Sequence, residues 1–346
     1  MLNFITNHFI YWSYRVKYLL KSESIEYKGV VWIDFKSNIF RRRIASITYW
    51  FAKAGYKVVL YDTFRFIGSM SGYDKLVFSI PECKLAIIKP SVITLTLTNK
   101  QKKRYRLNEV FVNNNYWIQE KNNTWHIPLG LHPHFYYKDI IPDLESLRKR
   151  DNRRICIFFS GNLQEELYDL SVINDNFRIL SRHEIIKTLK TEINSKQLLI
   201  PNNINELTGN NLSKCLVLND ISKVWIPQEK FIEFLSNCSF FLFTPGVVFP
   251  LCHNNFEAMA AGCIPITQYA NYHFPNLINK ENCLVFKDEY DLVNVIKEAL
   301  SMDDNKINQM RKKVIEYYDN FLCEDAIINN IETKVFKENI KELVLL

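Results

Sequence analysis

The residues with the clearest chemical potential lie in one segment, TPGVVFPLCHNNFEAMAAGCIPIT, from Thr244 to Thr267. An apolar strand ends at Thr244, and a loop with Pro245, Gly246 and Pro250 follows. The spacing predicts a helix from His253 or Asn254 that Gly262 terminates, with another strand directly after it. Such a helix presents its first N–H groups and the positive end of its dipole to whatever lies beyond the strand ends. A diphosphate suits that place, with Gly246, His253, Asn254 and Asn255 around it. Glu257, one turn further in, can accept hydrogen bonds from two ribose hydroxyls. A second reading of the same residues needs no ligand. Asn254 and Glu257 are spaced as N-cap and N3 of a capping box, and Ala258, Ala260 and Ala261 would serve close helix packing. His253 fits either reading, as a phosphate or sugar contact or as a cap.

Elements that would position these groups alternate along the chain. GVVWIDF (Gly29 to Phe35) is a short buried strand by composition. The helical period of Ile44 to Tyr56 and the strand Lys57 to Thr63 complete a strand–helix–strand unit. Short strands are expected around Lys75 to Ser79, Lys84 to Ile88 and Val92 to Thr96. The charged, proline-containing stretch Asp139 to Arg154 reads as a domain boundary. A second α/β series starts with RICIFFSG. It continues through CLVLND, the helix KFIEFLSNC, the strand SFFLFTP, the strand CLVF and the helix from Glu289 to Met302. The reading is α/β, with two doubly wound Rossmann-like domains and a cleft between them. They span 1–145 and 146–320, and residues 321–346 form a helical tail. Ligands of such sheets bind beyond the carboxyl ends of strands, which directs attention to the loops after Phe35, Phe159 and Phe243.

Composition agrees with a packed, two-domain protein. The chain has 346 residues, 47% hydrophobic and 23% charged, and a formal charge of +7. The basic excess falls in three runs: Arg41 to Arg43; Lys100 to Arg106; and Arg148 to Arg154. Each can be a phosphate-attracting patch or a solvated surface. The eight cysteines show no metal-type spacing and read as small buried hydrophobes in a reducing compartment. No DxD motif or His/Cys cluster suggests a metal. No stretch is long and apolar enough to span a bilayer. The aromatic first twenty residues are a helix, either packed on the domain or lying on a membrane. A cytoplasmic protein is expected, peripheral at the inner face of the membrane in the second case.

EAMAAGCIPI, together with FFLFTPG and FPLCHNNF before it, resembles the donor-site signature of GT-B glycosyltransferases, in its exostosin-like version. The resemblance is strong over Ile226 to Phe286 and architectural elsewhere. It implies that Glu257 holds the ribose of a UDP- or GDP-sugar, with no further cofactor. In similar enzymes a loop before the KFIEFLSNC-type helix contacts the base through main chain, here Trp225, Ile226 and Pro227. Ser160, Gly161 and Asn162 would offer amides to the diphosphate, and Arg182 a counter-charge. Similar retaining enzymes carry a second acid eight residues upstream of the Glu, where this chain has Phe249. Inverting transfer needs a base from the first domain, for which Asp34, His132 and His134 are candidates.

The expected function is therefore sugar transfer from a nucleotide donor to a glycan or lipid-linked glycan, in cell-surface polysaccharide synthesis. The partners are the nucleotide sugar, that acceptor and an anionic membrane surface. Two other classes stay open: a non-catalytic glycan-binding relative, and a nucleic-acid-binding protein using the basic runs, although no nucleic-acid module is visible.

Overall fold

Val31, Trp32 and Ile33 are almost wholly buried, as expected of a strand covered on both faces. They lie in β1 (Gly29–Asp34) of a computed structural model that describes residues 2–20, 26–35, 41–61, 67–113, 123–150, 153–168, 171–209 and 211–345. The loop expected after Phe35 (residues 36–40) lies outside the described residues, as do positions 62–63 at the end of the expected second strand.

The chain forms two compact units: residues 1–128, 132–139 and 324–346; and residues 129–131 and 140–323. The first begins with α1 (Leu2–Leu20), followed by β1, α2 (Arg41–Lys53), β2 (Tyr56–Tyr61), α3 (Gly72–Val77) and β3 (Cys83–Ala86). Next come β4 (Leu95–Thr98), β5 (Glu109–Asn113), β6 (Thr124–Ile127) and α4 (Pro133–Tyr137). Its helix α3 corrects the strand expected at Lys75 to Ser79. Ser71 and Asp74 form a reciprocal capping box, which satisfies the first amides of a helix and outweighs the β-branched Val77.

In the second unit the order is α5 (Leu144–Arg148), β7 (Ile155–Gly161), α6 (Glu165–Tyr168), α7 (Ser171–Phe177), α8 (Arg182–Glu192), β8 (Leu198–Leu199) and α9 (Ile204–Thr208). It continues with β9 (Leu212–Asp220), α10 (Gln228–Leu235), β10 (Cys238–Leu242), α11 (His253–Ala260), β11 (Ile264–Thr267), β12 (Leu284–Val285), α12 (Glu289–Ser301) and α13 (Asp304–Phe321). The chain then returns to the first unit as α14 (Glu324–Glu332), a π-helical turn (Thr333–Lys337) and β13 (Glu342–Leu345). The segment expected as a purely helical tail thus ends in a strand. Apolar Leu343 to Leu345 fit a buried ladder better than a helix end.

The first sheet runs β3-β2-β1-β4-β5-β13-β6 and the second β12-β11-β10-β7-β9-β8. All of the described pairings are parallel. Both units are Rossmann-like. In the first, the chain reverses direction across the sheet between β1 and β4. In the second, it does so between β7 and β10. These reversals leave crevices at the strands' carboxyl ends.

The basic runs are partly tied into the fold, although Arg42, Lys103, Arg104 and Arg106 are exposed. Arg153, buried, donates to Cys238 O (2.6 Å) and Ala261 O (2.7 Å). Arg148 donates to Ala260 O (2.8 Å) and pairs with Asp319 (2.9 Å). Arg150 reaches Ser236 Oγ at 3.0 Å. In the other runs, Arg41 pairs with Asp74 at 2.8 Å, Lys100 with Asp34 and Lys102 with Glu109. These side chains hold loops and helix ends together. Burial also explains the cysteines: it pushes the Cys263 thiol up to about 11 and Cys156 and Cys283 up to about 12.

Candidate functional site

The carboxyl ends of β7 and β10 gather most of the residues singled out in the sequence. Asn254 Nδ2 donates to Ser160 O at 3.1 Å, which braces the start of α11 against the end of β7. Arg182, the first residue of α8, is 6% exposed, so it is a buried cation. Its guanidinium lies 4.0 Å from the Tyr168 ring centroid and 5.7 Å from that of Phe159. Arg182 Nη1 donates to Asn162 O at 3.2 Å. Gly161 makes that approach feasible. A Cβ there would lie 2.8 Å from the Phe159 ring and 3.1 Å from Arg182 Nη1. Gly246 is equally constrained, since its N–H donates to Phe249 O at 2.9 Å and a Cβ would meet that oxygen at 2.8 Å.

Helix α11 resolves the ambiguity in the sequence. Its N-cap is Cys252, which makes no side-chain cap bond. Asn254 and Glu257 are therefore not N-cap and N3, and the capping-box reading is corrected. The reason is local: the helix begins two residues earlier than that box requires, at His253, which moves Glu257 into the second turn. His253 is buried and its Nδ1 lies 3.0 Å from Gly130 O. Glu257 is 5% exposed. At the far end, Gly262 has φ +76°, a left-handed stop that lets Cys263 N donate back to Ala258 O at 2.9 Å.

Several buried polar atoms around this point have no hydrogen-bond partner among the described residues: Thr244 Oγ1, Asn254 Oδ1, Asn255 Oδ1, Arg182 Nε and Asn219 Oδ1. Buried polar atoms are normally satisfied, at about 90% or more. These five fall on or beside elements that meet at the strand-order reversal of the second sheet. Asn255 also donates to Tyr269 Oη at 3.4 Å.

Asn219 was not visible as a site residue in the sequence. Fully buried at the end of β9, it donates to Ser160 Oγ (3.0 Å) and Val224 O (3.1 Å). It thereby joins the β7 end to the segment holding Trp225, Ile226 and Pro227. Ile226 is buried, Trp225 is exposed, and Pro227 is the N-cap of α10. The available signal was a polar residue closing the otherwise apolar run CLVLND. Phe249 packs edge-on to Phe177, ring centroids 5.8 Å apart, so an apolar ring occupies the position of the second acid.

Asp34 and His132 belong to the first unit. Asp34 ends β1 at that sheet's own reversal and is paired with Lys100. His132 is the N-cap of α4. Its Nδ1 accepts from His134 N (3.3 Å) and its Nε2 lies 3.1 Å from Tyr73 Oη. Burial, with Arg42, His134 and Lys138 nearby, pushes its pKa down to about 3, so the ring is neutral near pH 7. His134 lies against the same ring, centroids 4.7 Å apart. Among the described residues, no group of His, Cys, Asp and Glu is arranged to hold a metal ion.

No family model matches the chain. Over 87 residues, 24% of its length, it is 33% identical to the probable xyloglucan galactosyltransferase GT17 of Arabidopsis thaliana. The match spans 19% of that relative's length. Among solved structures, Anabaena HepE in complex with UDP is 11% identical, with a TM-score of 0.49, covering 89% of this chain and 100% of that one. The complex of HepE with UDP-glucose has a TM-score of 0.46 and 11% identity, covering 89% and 99%. An alpha,alpha-trehalose-phosphate synthase (UDP-forming) from Burkholderia vietnamiensis has a TM-score of 0.37 and 6% identity, covering 96% and 78%. The chain is similar to each of these.

Proposed function

We propose that the protein is a glycosyltransferase that binds a nucleoside-diphosphate sugar, UDP- or GDP-linked, at the carboxyl ends of β7 and β10. The observation that carries this reading is the set of buried, unpartnered polar atoms around the uncapped start of α11. The first amides of α11, the loop at Ser160, Gly161 and Asn162, and Arg182 supply positive potential to a diphosphate. That potential grows in value as the sugar–phosphate bond breaks and charge develops on the leaving group. Glu257 takes the ribose hydroxyls, and Ile226 and Pro227 offer main chain to the base. The 33% identity to a probable galactosyltransferase over part of the chain agrees with this assignment.

The acceptor is a glycan or lipid-linked glycan, and its use in cell-surface polysaccharide synthesis belongs to the same proposal. Of the three candidate bases, Asp34 is favoured. It stands at the reversal of its sheet. Although Oδ2 pairs with Lys100, its Oδ1 has no hydrogen-bond partner among the described residues. Both ring nitrogens of His132, by contrast, are engaged in capping α4 and meeting Tyr73. With an aromatic ring at Phe249, inverting transfer is the better match.

Incubation with a panel of UDP-, GDP- and CMP-sugars, with and without glycan acceptors, tests this reading. Release of UDP or GDP that rises with acceptor is expected. Binding of a nucleotide sugar without any release would instead identify a non-catalytic relative.

A further inference from the structure

Helix α1 has two unlike faces. Its inner face is clipped to the first unit by polar bonds. Asn7 Nδ2 donates to Gly68 O (3.1 Å), Arg15 to Cys83 O (2.5 Å) and Tyr18 Oη to Ser79 O. Tyr11 packs edge-on to Phe78 at 5.1 Å. The outer face carries Leu2, Ile5, Phe9, Trp12, Val16 and Leu19, which are 50 to 80% exposed. Their spacing alternates three and four, so they form one continuous apolar stripe along the helix. A stripe of this size on water is a binding surface in search of an apolar phase.

Charge identifies that phase. The 19 residues of α1 contain no Asp or Glu. Lys17 is its exposed cation, since Arg15 is held inward by Cys83 O, and the chain as a whole carries +7. Past the end of the edge strand β3, Ile87, Ile88 and Val92 are also more than half exposed, around an exposed Lys89. An apolar stripe on a helix without acidic residues, with a Trp in it and Lys17 exposed, matches an anionic bilayer surface, where the rings enter the acyl boundary and the cation meets headgroups. A second copy of the helix fits less well. A pair held by such a seam is normally steered by charges of both signs, and α1 has no acidic residue to supply one of them. No described helix is long and apolar enough to cross a membrane, so α1 lies on the surface.

We propose that the outer face of α1 docks the protein on an anionic lipid bilayer, independently of the transfer reaction. Vesicle co-sedimentation tests this, using phosphatidylcholine alone and phosphatidylcholine with about one third phosphatidylglycerol. Binding is expected only to the anionic vesicles and should weaken as salt is raised. Phe9→Glu/Trp12→Glu should weaken it by about tenfold or more, and Lys17→Glu by a smaller factor. All of these side chains are exposed, so an unchanged melting temperature is expected. The proposal is overturned if the wild-type protein does not bind anionic vesicles, or if the double variant binds as tightly. It is also overturned if sedimentation shows a concentration-dependent dimer that the double variant abolishes, since a second copy would then cover the stripe.

Discussion

Arg182 shows what a single buried cation contributes. Removed from water and stacked on Tyr168, its guanidinium also donates to Asn162 O just past the end of β7. An anion placed beside it is attracted more strongly than at a surface. Arg182→Gln is expected to weaken UDP binding about tenfold while leaving uridine binding within about twofold; tenfold corresponds to roughly 1.4 kcal/mol. Calorimetry with both ligands checks this, and equal losses for the two would mean that Arg182 only shapes the pocket. At this scale the sequence was informative where a residue type is costly to bury without cause. Glu257 stands out as a charge in apolar surroundings, whereas Arg182 between Ser181 and His183 does not. The sequence was silent on Asn219, because a polar residue at a strand end looks the same whether it faces water or cross-links two loops. It was ambiguous on Asn254, because N-cap spacing and brace spacing coincide. Only the backbone position of Cys252 separates them.

Elements were legible where their period was long and both flanks carried turn residues. The strands β7 and β10 and the helix α11 follow from apolar runs ended by glycine or proline. The short strand β5, EVFVN, was missed because five residues behind a basic loop carry little pattern. The strand β13 was missed because its partners, β5 and β6, are more than two hundred residues earlier in the chain, and a single sequence does not encode such pairing locally. The structure makes β13 energetically central. Leu343, Val344 and Leu345 are at most 1% exposed, each contributing roughly 1.5–3 kcal/mol by burial. Deleting residues 342–346 is expected to destabilise the first unit by several kcal/mol. It should also remove amide-exchange protection from Glu109–Asn113 and Thr124–Ile127 while β7 and β10 keep theirs. Retained protection in both strands would contradict this placement.

For the whole molecule, the alternation of short apolar strands with amphipathic helices was enough to read two doubly wound parallel sheets. Alternation implies crossovers, and crossovers of one hand make parallel sheets. Strand order was not legible, yet order creates the site, because only where it reverses do neighbouring loops part. The net charge was also misleading when read alone. Much of the basic excess is spent inside the fold, with Arg153 bonding two carbonyls and Arg148 a carbonyl and Asp319. Two cations enter the proposals made above: buried Arg182 at the proposed donor site and exposed Lys17 beside the apolar stripe of α1.

The central claim is that a nucleoside diphosphate sits against α11 with its ribose on Glu257. Titration calorimetry of UDP and GDP into the wild-type protein and Glu257→Gln tests it most directly. The account predicts binding of at least one nucleotide by the wild type. It predicts a loss of about 10- to 100-fold in the variant, roughly 1.4–2.7 kcal/mol, with little change in melting temperature. Failure of both nucleotides to bind, or an affinity unchanged by Glu257→Gln, would contradict it.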